Sequence, residues 1–143
     1  MSEFESYDMT KFLENCEKMN ITLSTEQQKQ FVRYYELLVE WNSFMNLTGI
    51  TEFQEVLQKH FEDSLALVKG IEVTEVVSVL DVGTGAGFPG LPLKIAFPHL
   101  NVVLLDSLGN RLKFLNHVIE ELELDDITAI HGRAEDFARK EEY

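Results

Sequence analysis

The sequence predicts an α/β fold in which a parallel sheet follows a helical N-terminal region. Three observations lead to this prediction. Apolar residues recur at helical spacing in the first part of the chain, three short apolar runs alternate with helical patterns in the second part, and four closely spaced glycines follow the first of these runs. The order strand, helix, strand, helix, strand and helix predicts parallel strands joined by right-handed crossovers.

The N-terminal region, residues 1–72, begins with two predicted helices. The first covers residues 7–19 and carries its apolar side chains on one face. The second follows Ser24, whose spacing from Gln27 is that of a capping box, and ends near Met45. Its aromatic side chains could form a platform for stacked bases, but we interpret them as the core-packing face of an amphipathic helix.

A third predicted helix follows a second capping-box spacing, between Thr51 and Gln54, and extends to about Val68. His60 and Asp63 lie three residues apart in this helix and therefore share a face. Such a pair could contribute to a metal site, act as acid and base, or have a capping or intramolecular hydrogen-bonding role. We favour the capping or hydrogen-bonding role and predict no metal site, because two groups are too few.

A boundary at residues 69–72 separates this region from a predicted sheet domain, residues 73–143. The predicted strands are residues 76–82, 101–106 and 127–131, and the predicted helices are residues 90–97, residues 110–122 and a last one that begins near Arg133 or Ala134. The first strand is short, rich in valine and without alternation, which is typical of a buried parallel strand.

The composition indicates one globular domain, or one domain with a small appendage, in 143 residues. The single cysteine, Cys16, has helical spacing to apolar neighbours, and we predict a buried structural thiol. No signal peptide, membrane span or internal disulfide is expected, so we predict a cytoplasmic protein. A net charge of -13 with scattered basic residues does not support binding of nucleic acid by bulk electrostatics.

The four glycines at residues 83–90 form a predicted ligand-binding turn. Because glycine has no Cβ, a ligand can lie directly against this backbone. Residues 85–90 match G-x-G-x-x-G, a weak signal alone, which gains weight because a predicted strand precedes it and a predicted helix follows. We therefore predict a nucleoside-containing cofactor at the carboxyl edge of the sheet.

Two acidic residues are predicted to complete this site. Asp106 ends the second strand, 16 residues after Gly90, where its carboxylate can accept hydrogen bonds from both hydroxyls of a ribose. The alternative for Asp106 is a solvated loop acid. Glu135, in the loop after the third strand, could reach the base of a bound nucleoside, although an acid favoured by the dipole of the following helix explains it nearly as well.

Residues in and beside the glycine turn help to distinguish a dinucleotide from S-adenosylmethionine as the predicted cofactor. The glycine pattern also fits a dinucleotide such as NAD. Asp81 favours S-adenosylmethionine, because it places an acid at the strand tip near a ligand that is cationic at sulfur. Pro89 and Pro92 remove two backbone donors from the helix N-terminus at which a pyrophosphate would bind.

Further motifs give the chain a family resemblance. They are residues 79–93, Leu105-Asp106-Ser107-Leu108, Gly132-Arg133-Ala134-Glu135, Trp41-Asn42, Asn46-Leu47-Thr48 and residues 60–65. Together they resemble the bacterial small-subunit rRNA guanine-N7 methyltransferase family, also called the glucose-inhibited-division-B family, over about residues 9–137. The upstream motifs are the more specific ones, because methyltransferases in general lack them.

The resemblance implies a Rossmann-like class I methyltransferase fold with an N-terminal helical region. It also implies that S-adenosylmethionine is held by the glycine turn and by the loops after the second and third strands. The candidate contacts are Gly83, Gly85, Gly87, Phe88, Asp106, Ser107, Leu108, Ala134 and Glu135. The implied acceptor is N7 of a guanosine in small-subunit (16S) rRNA, with the rRNA or a ribosomal particle as partner.

Methyl transfer to guanine N7 requires no general base, because N7 carries a free lone pair and no proton. Positioning would supply the catalysis, and we name no catalytic residue. His60 and Asp63 are the upstream candidates for orienting the acceptor or closing the pocket.

Two alternatives remain open, an NAD-dependent oxidoreductase and a non-catalytic module that acts through protein contacts. Members of the family continue with a fourth strand and a Ser-Arg-Ala segment. We therefore expect a truncated chain that stops at Tyr143 and leaves its first strand with an open edge. The modified guanosine and the oligomeric state do not follow from the sequence.

Overall fold

The computed structural model describes residues 6–68 and 78–133. The helices in these ranges are α1 (Thr10–Lys18), α2 (Thr25–Met45), α3 (residues 53–66), α4 (Gly90–Ala96) and α5 (Gly109–Glu121), and the strands are β1 (Ser78–Val82), β2 (Asn101–Asp106) and β3 (Ile127–His131). This order confirms the predicted α/β class. The predicted boundary at residues 69–72, the start of the first predicted strand and the helix predicted to follow Arg133 lie outside the described residues. None of the described helices is long and apolar enough to cross a membrane.

Side chains cap the starts of α2 and α3. The Ser24 hydroxyl accepts a hydrogen bond from the Gln27 N–H at 3.2 Å, and the Gln27 side-chain oxygen accepts one from the Ser24 N–H at 2.7 Å. These bonds confirm the first predicted capping box. The second is wrong, because Glu52 and not Thr51 caps α3. The Glu52 carboxylate accepts from two backbone N–H groups of the first turn, where the helix dipole also favours an acid.

The third helix, α3, is not a regular α-helix. Short α-helical turns at Phe53–Val56 and Asp63–Ala66 flank a π-helical segment, Leu57–Glu62. The Ser64 hydroxyl donates to the His60 carbonyl at 2.6 Å within this region. Segments of this kind are rare, and they occur frequently at functional sites.

The three strands form one parallel sheet in the order β1-β2-β3. The register pairs Val82 with Leu105 and Asp106 with His131. The carboxyl ends of all three strands therefore meet at one edge of the sheet.

The prediction that the first strand is buried is wrong for β1. Of its five residues only Asp81 is buried, whereas Leu80 and Val82 are 43% and 50% exposed. Successive side chains of a strand point to opposite faces. The helices cover the face that carries Asp81, whereas the face that carries Leu80 and Val82 stays largely exposed among the described residues.

One apolar core joins the N-terminal helices to the sheet. It includes side chains from all five helices and from β2, and its largest fully buried members are Tyr34, Phe12, Phe31, Phe61 and Phe114. The ring centroids of Phe31 and Phe61 lie 5.1 Å apart, and those of Tyr34 and Phe61 lie 5.2 Å apart. This packing confirms that Phe31 and Tyr34 of α2 belong to the core, whereas Phe44 near the end of the helix is 65% exposed and does not.

Cys16 lies in the same core and has no exposed surface. Burial, with smaller contributions from the negative charges of Glu62 and Glu17, raises the pKa of the Cys16 thiol to about 12. The predicted buried thiol is confirmed.

Candidate functional site

The glycine turn, residues 83–90, joins β1 to α4 and includes Gly90, the first residue of that helix. Gly83, Gly85 and Gly87 have φ angles of +69°, +60° and +101°, which L side chains rarely adopt. The N–H groups of Gly83 and Thr84 both donate to the Leu105 carbonyl, at 2.8 and 3.1 Å. The turn therefore folds across the end of β2.

Asp81 holds one side of the glycine turn. Its buried carboxylate accepts hydrogen bonds through Oδ2 from the Thr84 hydroxyl at 2.6 Å and from the Gly90 N–H at 2.9 Å. Burial raises the pKa of Asp81 above its ordinary value, while these two hydrogen bonds oppose the shift and the nearby Asp106 adds to it. Both observed bonds lie within the turn, so the carboxylate stabilises its shape.

Asp106 holds the other side of the glycine turn. Its Oδ2 accepts from the Gly85 N–H at 2.8 Å, and its Oδ1 accepts from the Leu108 N–H at 2.9 Å. The Arg111 Nη1 lies 3.4 Å from Oδ2, and only 2% of the Asp106 side chain is exposed. The alternative of a solvated loop acid is therefore wrong.

The loop after β2 and the end of β3 lie beside Asp106. Ser107 is exposed, and Leu108 exposes 51% of its surface. His131 Nε2 lies 2.9 Å from the Ser107 carbonyl oxygen, and the Gly132 N–H donates to the Asp106 carbonyl at 3.0 Å. These bonds connect the loop after β2 to the end of β3.

Phe88 lies on the side of the glycine turn that faces the N-terminal helices. Its ring stacks on His60, with centroids 4.5 Å apart and planes 13° apart, and it contacts Tyr34 and Phe61 at centroid distances of 5.8 and 6.1 Å. The Tyr34 hydroxyl donates to the Ala86 carbonyl at 2.6 Å. Burial raises the pKa of Tyr34 well above its ordinary value, so the hydroxyl keeps its proton. Helices α2 and α3 thus support the turn.

His60 and Asp63 do not form a hydrogen-bonded pair. His60 Nε2 lies 2.7 Å from the Thr48 hydroxyl, whereas the Asp63 side chain is exposed. Burial lowers the pKa of His60, and the negative charge of Asp63 opposes this shift. No group of three His, Cys, Asp or Glu side chains suited to a metal ion occurs among residues 6–68 and 78–133.

The structure brings most of the predicted site residues to one edge of the sheet. Those present there are Gly83, Gly85, Gly87, Phe88, Asp106, Ser107 and Leu108. Ala134 and Glu135 lie outside the described residues. Sequence reasoning missed Arg111 as the partner of Asp106, Tyr34 as a partner of the glycine turn and Thr48 as the partner of His60, because no local pattern connects these pairs.

A parallel sheet whose first strand leads into a glycine turn, with a buried carboxylate at the end of the second strand, defines the Rossmann-like class of α/β proteins. Residues 27–143 match the model of the GidB family, described as rRNA small subunit methyltransferase G. The chain belongs to this family.

Curated relatives match almost the whole chain. A protein named ribosomal RNA small subunit methyltransferase G from Lachnoclostridium phytofermentans is 56% identical over 133 residues, which are 93% of this chain and 55% of the relative. Proteins of the same name from Lactococcus lactis subsp. cremoris and Lysinibacillus sphaericus are 52% and 48% identical, over 93% of this chain and 56% of each relative. The chain spans about half the length of the curated relatives it matches.

Proposed function

We propose that the chain is part of an enzyme that transfers a methyl group from S-adenosylmethionine to N7 of a guanosine in small-subunit (16S) rRNA. Membership of the family supports the reaction and the substrate. The structural observation that carries the proposal is the buried Asp106 carboxylate, which ends β2 and accepts a hydrogen bond from the Gly85 N–H. It connects the glycine turn to the strand end beside which nucleoside cofactors bind in this fold class.

The residues at the sheet edge fit a nucleoside. A carboxylate has about four acceptor positions, so Asp106 retains about two beyond those used by Gly85 and Leu108. Ribose hydroxyls would occupy these positions once Arg111 moves aside, and the exposed Leu108 side chain would pack against the adenine ring. The full proposed set is Gly83, Gly85, Gly87, Phe88, Asp106, Ser107, Leu108, Ala134 and Glu135.

The proposed chemistry depends on positioning. S-adenosylmethionine supplies an electrophilic methyl group on a sulfonium sulfur. The protein holds the acceptor in line with that methyl group, and it needs no general base because guanine N7 has no proton to lose. Asp81 serves the reaction indirectly in this proposal, because both of its observed hydrogen bonds hold the turn in shape.

The charge of the chain bears on the form of the acceptor. A net charge of -13 opposes electrostatic capture of naked RNA. We propose a cytoplasmic enzyme whose acceptor is the small-subunit particle, in which ribosomal proteins would provide contacts that this acidic chain does not.

The first turn of α4 disfavours an NAD-dependent oxidoreductase. A dinucleotide needs free N–H groups there to bind its pyrophosphate. The Gly90 N–H donates to Asp81, the Leu91 N–H donates to the Gly87 carbonyl at 2.7 Å, and Pro92 has no N–H. The first three residues of α4 therefore offer no free donor.

Calorimetric titration with S-adenosylmethionine and with NAD tests the proposed cofactor. We expect saturable binding of S-adenosylmethionine and none of NAD at the same concentration. Tighter binding of NAD would contradict the proposal. The Lachnoclostridium phytofermentans relative is the parallel control, and binding of S-adenosylmethionine by the relative alone would favour a non-catalytic module for this chain.

A further inference from the structure

Thr48, His60 and Phe88 form a continuous set of contacts beside the glycine turn, which we call the histidine stack. The Thr48 hydroxyl lies 2.7 Å from His60 Nε2. The His60 ring lies nearly parallel to the Phe88 ring, with centroids 4.5 Å apart and planes 13° apart. The three residues belong to the loop after α2, the π-helical segment of α3 and the glycine turn, so the stack joins three separate parts of the chain.

The Thr48 end of the histidine stack is held by its own loop. The Thr48 N–H donates to the Asn42 side-chain oxygen at 2.8 Å, and the Thr48 hydroxyl accepts from the Ile50 N–H at 3.1 Å. Because Asn42 belongs to the last turns of α2, these bonds fix Thr48 relative to that helix. The Thr48 side chain is therefore already ordered, and its hydrogen bond to His60 costs little further conformational entropy.

The π-helical segment places His60. The consecutive residues His60 and Phe61 both contact the Phe88 ring, at centroid distances of 4.5 and 6.1 Å. The Ser64 side chain follows the π-helical segment, and its hydroxyl donates to the His60 carbonyl at 2.6 Å. The segment thus presents two rings to one residue of the glycine turn.

The histidine stack contacts a part of the glycine turn that Asp81 and Asp106 do not bond. Asp106 holds the turn at Gly85 and Asp81 holds it at Gly90, and Phe88 lies between these two points. Glycine-rich backbone has many accessible conformations. A fixed ring at Phe88 therefore restricts the stretch that neither carboxylate holds.

We propose that His60 is a positioning residue for the methyl donor. Held by Thr48, it fixes Phe88 and so keeps the glycine turn in the conformation that binds S-adenosylmethionine. This inference rests on the proposed function. His60 acts through Phe88, and no proton moves in this role. It differs from orientation of the acceptor, because Phe88 belongs to the donor side of the site.

Four substitutions test the histidine stack one contact at a time. Thr48→Val removes the hydroxyl and Thr48→Ser keeps it, whereas His60→Ala removes the ring and His60→Phe keeps a ring without the hydrogen bond. We expect the Kd for S-adenosylmethionine to rise about fivefold in Thr48→Val and about 10-fold in His60→Ala. Thr48→Ser should stay within about twofold of wild type, and His60→Phe should recover part of the loss.

Tyr35→Phe is the matched control. The Tyr35 hydroxyl donates to the Thr51 carbonyl at 2.6 Å and so joins α2 to a neighbouring loop position without touching Phe88. Loss of the Tyr35 hydroxyl should leave the Kd for S-adenosylmethionine unchanged. In steady-state assays, Thr48→Val should raise the KM for S-adenosylmethionine and leave the KM for the ribosomal particle unchanged.

Three outcomes would overturn this inference while the proposed function stands. They are wild-type affinity in both Thr48→Val and His60→Ala, a loss of equal size in Tyr35→Phe, and a raised KM for the particle with unchanged affinity for S-adenosylmethionine. Absence of S-adenosylmethionine binding by the wild-type protein would overturn the proposed function and this inference together. The wild-type titration therefore separates the two failures.

Discussion

At the scale of single residues, Asp81 and Asp106 differ in what their carboxylates can offer a ligand. Both observed bonds of Asp81 lie within the glycine turn. Asp106 also holds the turn, but its neighbour Arg111 exposes 37% of its side chain and can move away. We therefore expect a ligand to change the contacts of Asp106 and to leave those of Asp81 in place.

Asp106→Asn tests this difference. The amide keeps the size of the side chain but replaces one acceptor oxygen by a donor. Because a backbone N–H already uses one of the two lone pairs on the remaining oxygen, the amide cannot accept hydrogen bonds from two ribose hydroxyls. We expect affinity for S-adenosylmethionine to fall roughly 10- to 100-fold, measured by calorimetry. Asp125→Asn makes the same chemical change at an exposed site and should have no effect. Equal affinity in the Asp106 variant and the wild type would contradict the proposed role.

Cys16 provides a second prediction at this scale. A thiol with a pKa of about 12 is ionised in only about one molecule in 10⁴ at pH 8, and the thiolate is the reactive form. The folded protein should therefore resist iodoacetamide at pH 8 and react fully in denaturant, as followed by intact mass. Rapid stoichiometric labelling of the folded protein would show that Cys16 is accessible.

At the scale of elements, the glycine turn packs closely against both α4 and α2. Gly87 has a φ of +101°, and a Cβ added there would clash with the Leu91 side chain of α4 and lie 2.8 Å from the Tyr34 hydroxyl oxygen of α2. Gly109 begins α5, and nothing lies within 4 Å of an added Cβ. These two glycines therefore have different steric surroundings.

Gly87→Ala should lower the free energy of unfolding by at least about 2 kcal/mol, because it adds backbone strain to a steric clash. Gly109→Ala should change it by no more than about 0.5 kcal/mol. Urea unfolding of the two variants measures the difference. Similar stabilities for both would show that the turn does not require glycine at position 87.

Local patterns predicted several of these elements well. The bounds of β2 and β3 match the predicted residues 101–106 and 127–131, because each strand is a short apolar run between turn-forming residues. The capping box at Ser24 was equally local. The exposure of β1 was not predictable in this way, because a short run rich in valine has the same composition whether or not both faces are covered.

The contacts that shape the candidate site were harder to predict. Tyr34 bonds to Ala86 across 52 positions of sequence, and the histidine stack joins three segments. Such contacts depend on how the fold brings the segments together, so neither periodicity nor spacing indicates them. The π-helical segment that presents His60 also lacked a local signal.

At the scale of the whole molecule, the N-terminal helices and the sheet share one core. Trp41, the single tryptophan, lies on α2 with its ring 5.8 Å from that of Phe114 on α5. Tyr34, also on α2, donates a hydrogen bond to the Ala86 carbonyl of the glycine turn. We therefore expect the described parts of the chain to unfold together. The predicted division into residues 1–72 and 73–143 stays a prediction.

Urea unfolding followed by two probes tests this expectation. Trp41 fluorescence reports on the contact between α2 and α5, and far-ultraviolet circular dichroism reports on all helices and strands. The two midpoints should coincide. A fluorescence change that is complete before the dichroism changes would show that α2 separates from the sheet first.

Methyl transfer tests the central claim most directly. Small-subunit particles assembled from unmodified 16S rRNA are incubated with methyl-labelled S-adenosylmethionine and the protein, and the rRNA is then digested to nucleosides. We predict label in N7-methylguanosine, with more transfer to particles than to naked rRNA. Absence of transfer, under conditions in which the Lachnoclostridium phytofermentans relative methylates the same particles, or label in any other nucleoside, would contradict the proposed function.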